Sequence, residues 1–89
     1  MKIVINTENN ILYNSFYKVC KEDHQIVNAK TESALFDIIE KNNVDAYILS
    51  SSNAYFKKAV DFIKKKDPYI LVIGLIDEYN TVIMTTPVD

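Results

Sequence analysis

The chain of 89 residues has one glycine, two prolines, one cysteine, no tryptophan and no arginine. So little glycine and proline leaves no room for flexible linkers or low-complexity segments, and predicts order nearly end to end. A lone Cys20 excludes an internal disulfide, and without CxxC or Cys/His spacing the zinc and thiol-redox patterns are missing too. The formal charge is −2 and the pI near 5.3, so no global field draws the chain to nucleic acid or to an anionic membrane. The longest apolar run, Ile70 to Ile76, falls far short of the roughly 20 residues that span a bilayer. Met1-Lys2 leads straight into Ile-Val-Ile, without the longer apolar stretch and small-residue cleavage site of a secretory signal. These absences predict a soluble, cytoplasmic protein with no cofactor, no metal, no membrane and no nucleic acid among its partners.

What is present is a globular composition, 48% hydrophobic and 25% charged. The length allows one domain over residues 1–89, whether whole or the N-terminal part of a longer regulatory protein. Lys2 to Ile5 is short and β-branched and runs into the polar cluster "NTENN", as a buried strand entering a loop does. Leu12, Phe16, Val19 and Cys20 then recur at helical spacing, with Asn9 or Asn10 as cap, and predict a helix to about Glu22. "HQIVNA" reads as a second strand. Thr31 caps a helix whose inner face holds Ala34, Leu35, Ile38 and Ile39 and which stops at Asn42-Asn43. "DAYILS" is the third strand. A third helix, capped by Ser52 or Asn53, places Phe56, Ala59, Val60 and Ile63 on one face, and "YILVIGLI" follows as strand four.

Strands alternating with helices imply βαβ units, a parallel sheet and helices on both faces. Strands one, three and four are continuously apolar, as burial on both faces requires. The last segment, "TVIMTT", is separated from strand four only by Asp77 to Asn80. A parallel crossover needs a dozen or more residues, so this strand returns antiparallel as a hairpin or pairs with another chain. The expected architecture is a three-layer α/β fold with a mainly parallel sheet, three helices and an antiparallel edge strand.

The stretch "VDAYILSSSN" ends a strand in three serines just before a helix. Ser50, Ser51 and Ser52, with Asn6 and Thr7, read either as a polar nest for a water or weak anion or, more plainly, as a strand end and helix cap without a Gly-rich phosphate loop. His24 starts strand two, at the sheet end opposite the serines, and reads as a solvent-facing turn residue. Cys20 reads as a small core side chain. Lys57, Lys58, Lys64, Lys65 and Lys66 make helix three basic, and without arginine they read as a solvated face. The six tyrosines divide evenly between core and interface readings.

"KIVINTENNIL" resembles the opening of response-regulator receiver domains, and "VDAYILSSS" resembles their third strand, over residues 2–76 in all. The resemblance implies a receiver-like, flavodoxin-like fold. It places the family's acidic magnesium pair at Asn6 and Thr7, the residue after it at Glu8, the phosphoryl acceptor at Ser50 and the metal-binding carbonyl at Ser52. The strand-four switch falls near Gly74, and Thr86 stands where the family has a lysine before its proline. An amide and hydroxyls in place of carboxylates bind magnesium poorly, and Ser50 cannot form an acyl phosphate. The resemblance thus implies a degenerate pseudo-receiver, active in signal transduction through other signalling proteins or domains; no nucleophile with a recognisable base points to an enzyme, and apolar strands with too few helices to cover both sheet faces predict self-association. The homodimer is expected around Ile70 to Met84, with Ile70, Val72, Val82, Ile83 and Met84 at the interface. The alternative is a small-ligand or anion sensor that uses the polar strand ends.

Overall fold

A computed structural model describes residues 1–41, 43–78 and 81–87, with side chains through residue 75. The elements are β1 (Lys2–Asn6), α1 (Asn10–Cys20), β2 (Gln25–Asn28), α2 (Glu32–Lys41), β3 (Ala46–Ser50), α3 (Phe56–Lys66), β4 (Leu71–Glu78) and β5 (Thr81–Pro87). They form one sheet in the order β2-β1-β3-β4-β5. The first four strands are parallel, and β5 returns antiparallel to β4, as its short connection requires.

Alternating side chains divide the sheet into two apolar faces. Ile5, Ile48 and Leu75 point one way and pack with Leu12 of α1, flanked by Ile3, Phe16, Ile26 and Ile73. Val4, Tyr47, Leu49 and Val72 point the other way, into a larger core closed by Leu35 and Ile39 of α2 and by Ala59, Val60 and Ile63 of α3. One helix therefore covers one face and two cover the other. Ile70, just before β4, and Val72 on it, expected at an interface, are buried in the α2/α3 core, because their shared parity turns them toward those helices. Leu71, of opposite parity, is 43% exposed. The side chains of Val82, Ile83 and Met84 lie outside the described residues.

Element ends follow local hydrogen bonding. Asn9 caps α1 by accepting the Leu12 N–H at 3.0 Å, and Thr31 accepts the Ala34 N–H at 3.1 Å at the start of α2. Helix α1 stops at Cys20, short of Glu22, where the Cys20 carbonyl accepts both the Asp23 and His24 N–H groups and turns the chain. Val19, placed by its spacing on the inner face, is instead 79% exposed, since α1 meets the sheet through Leu12, Tyr13 and Phe16. Helix α3 begins only at Phe56, because Ser50 to Asn53 spend their side chains elsewhere and cap nothing. Strand β4 runs on to Glu78, through residues read as turn, because Asp77 and Glu78 find backbone partners opposite Val82 and Thr81. Among the described residues no helix is long and apolar enough to cross a membrane.

Candidate functional site

The chain leaves β1 for β2 on one side and returns past β1 to β3 on the other, so the sheet order reverses between β1 and β3. The crevice outside the carboxyl ends of such strands is where open parallel sheets bind ligands. Register brings the predicted residues to this end: Asn6 of β1 lies beside Leu49 of β3, and Ser50 beside Leu75 of β4. Gly74, buried on β4, pairs with Leu49. Thr7 follows directly on β1, and Glu8 beyond it is exposed.

Asn6 is the centre of the arrangement and only 1% exposed. Its Nδ2 donates to the Ala29 carbonyl at 2.7 Å and to the Tyr55 hydroxyl at 2.9 Å, using both amide hydrogens. Its Oδ1 accepts from Asn53 Nδ2 at 2.6 Å. Thr7, 2% exposed, accepts the Asn9 N–H at 3.0 Å on Oγ1. The Ser50 and Ser52 hydroxyls share a hydrogen bond of 2.9 Å. Ser51 grips β4 twice, its N–H and its Oγ donating to the Leu75 carbonyl at 2.8 and 3.0 Å.

These groups find hydrogen-bond partners within the protein. A buried amide with both hydrogens and its oxygen engaged in protein bonds has little left for a ligand. Asn6, Thr7, Ser50, Ser52, Asn53 and Tyr55 are uncharged side chains, so the cluster has no carboxylate pair whose repulsion a cation would relieve. Among the described residues, no group of three His, Cys, Asp or Glu stands together to hold a metal. Among the described residues the Ser50 hydroxyl meets another hydroxyl and no base that would activate it as a nucleophile. His24 precedes β2 at the opposite end of the sheet. It is half-buried and not solvent-facing as expected, with Nδ1 buried and without a hydrogen-bond partner among the described residues.

Comparisons give no further guide. No family model, curated protein or solved structure matches this chain. None of them identifies a receiver domain. The structure does establish the α/β fold, with a four-stranded parallel sheet and three helices in a flavodoxin-like arrangement. Within the site, sequence reasoning missed Tyr55 and the Ala29 carbonyl and took Asn53 for a helix cap. Asn53 and Tyr55 lie 47 and 49 residues from Asn6, so only the folded crossover shows that they meet it.

A second surface lies on the lone helix. Ile11 and Val19 of α1 are 81% and 79% exposed. Beside them runs a groove of about 320 Å³, lined by Leu12, Ser15, Phe16, Val19 and Cys20. Cys20, read as core, is only half-buried there.

Proposed function

We propose that this chain is a non-phosphorylatable, receiver-like signalling module that acts through protein–protein contacts, self-association among them. The observation that carries the reading is the contrast between two places on the fold. Asn6, Ser50 and Ser52, at strand ends that would do receiver chemistry, are uncharged and bonded within the protein. The α1 face, by contrast, presents Ile11 and Val19 to solvent, while Leu71 on β4 shares the side of the sheet that α1 covers. Exposed apolar side chains clustered on one face mark contact surfaces more often than catalytic ones. The antiparallel strand β5 adds an open sheet edge on the far side of β4, a second means of joining copies.

Sedimentation equilibrium of the intact chain tests this. A mass rising with concentration from 10.2 kDa toward twice that value is expected. Val19→Lys and Ile83→Lys separate the helix face from the hairpin: at least one should give a folded monomer with an unchanged circular dichroism spectrum. A wild-type chain still monomeric at a few hundred micromolar overturns self-association. Acetyl phosphate with magnesium should leave the intact mass unchanged, and an adduct on Ser50 would overturn the non-phosphorylatable reading.

A further inference from the structure

Five of the ten basic residues lie on one helix of 11 residues. Against Asp61 alone, Lys57, Lys58, Lys64, Lys65 and Lys66 give α3 a net charge of +4; the chain carries −2, which leaves −6 on everything else. The lysines are not equivalent. Lys64 Nζ is tied to the Ile70 carbonyl at 2.7 Å. Lys58 stands 3.8 Å from Glu32 and over the Phe36 ring at 5.2 Å, and Lys66 lies over Phe62 at 5.4 Å. Lys57 and Lys65 have neither ion pair nor hydrogen bond among the described residues.

Those two lysines flank a groove of about 490 Å³ along α3, which Ala54, Lys57, Lys58, Asp61, Phe62 and Lys65 line. Lys57, Lys58, Asp61, Phe62 and Lys65, spaced three and four residues apart, make one helical stripe, and Ala54 extends it from the turn before α3. Ala54 and Phe62 give it apolar patches, the lysines give positive ends about 12 Å apart at 1.5 Å per residue, and Asp61 sits between them.

We propose that this stripe is a docking site for an acidic segment of a partner protein, with two carboxylates about two helical turns apart and an apolar side chain between them. Charge complementarity selects the occupant. Each end of the stripe offers an uncommitted ammonium, and the Asp61 carboxylate at the middle excludes a partner negative along its whole length. A nucleic-acid strand is such a partner, with a phosphate at every nucleotide. The Phe62 ring also packs against Phe36 at 5.4 Å and has Lys66 over it at 5.4 Å, which limits stacking by a base and leaves its remaining apolar surface to the groove. The proposal rests on α3 alone and does not depend on self-association through α1 or β5.

The test is fluorescence anisotropy of the full chain with a labelled helical 15-residue peptide carrying Glu at two positions seven apart and Leu between them. Saturable binding is expected, weaker in 200 mM than in 50 mM salt. It should fall about tenfold or more when the two Glu become Gln, when they are moved side by side, or when the chain carries Lys57→Glu with Lys65→Glu. Ala54→Glu, which leaves every lysine in place, should also weaken binding. Circular dichroism confirms that these exposed substitutions leave the fold intact, and Lys57→Gln with Lys65→Gln replaces the double reversal if they do not. No binding at millimolar chain, equal binding by the side-by-side peptide, indifference to the lysine substitutions, or tighter binding of a 15-nucleotide single-stranded DNA each overturns the proposal.

Discussion

Asn28 closes β2 with both amide atoms buried and without hydrogen-bond partners among the described residues. Such a group costs about 1–3 kcal/mol of lost hydration, and a side chain of similar size without polar atoms removes the cost. Asn28→Val, with a β-branched residue suited to a strand, should therefore stabilise the chain by about 1 kcal/mol in urea unfolding. A destabilised variant would show that the amide has a partner in solution. Tyr47 is the other residue whose burial has a measurable consequence. Burial pushes its phenol up to about 12 from the ordinary 10.0. Between these values the folded chain keeps a proton that the unfolded chain loses. The associated stability is complete below pH 10 and is lost as pH rises toward 12. Each pH unit in that window removes up to about 1.4 kcal/mol. The fall in melting temperature from pH 10 to 11.5 should be shallower in Tyr47→Phe than in wild type, and parallel curves would contradict this origin.

At the scale of the element, the strands were the most legible parts of the sequence, because β1, β3 and β4 are continuously apolar and burial on both faces permits little else. The antiparallel return of β5 followed from a connection too short for a crossover. Helix faces were read well on α2 and α3, where wide stripes meet a large core, and less well on α1, where Val19 faces solvent and Cys20 is only half-buried. The start of α3 was misplaced for a physical reason. Serine and asparagine are good caps in general, but here Ser52 shares its hydroxyl with Ser50 and Asn53 holds β1, and a side chain bonded elsewhere cannot cap its own helix. The membership of the candidate site was legible as a set of strand-end positions. Its closure on itself was not, because the partners of Asn6 come from two other crossovers.

Across the whole molecule the three helices are divided unequally, with α2 and α3 on one side of the sheet and α1 alone on the other. The same inequality holds for charge, since the basic stripe of α3 lies on the doubly covered side and the exposed apolar residues of α1 on the singly covered one. A copy of this chain and an acidic partner would then be received on opposite faces. Sedimentation of the Lys57→Glu, Lys65→Glu chain should match wild type at each concentration if the two surfaces act independently.

The hydrogen bonds of Asn6 also bear on the order in which the fold assembles. They join residues 23, 47 and 49 positions apart in the sequence, so they exist only once β1, the end of β2 and the approach to α3 have all converged. Contacts that need so much prior loop closure form after the main barrier and act as a latch on the finished structure. Removing the latch leaves the climb to the transition state nearly unchanged and eases the way back. Asn6→Ala should therefore fold at close to the wild-type rate and unfold about 5 to 160 times faster, for a loss of about 1–3 kcal/mol. Stopped-flow mixing with urea measures both limbs, and a slowed folding limb would place this convergence before the barrier. The uncharged cluster at the strand ends would then set the lifetime of the native chain.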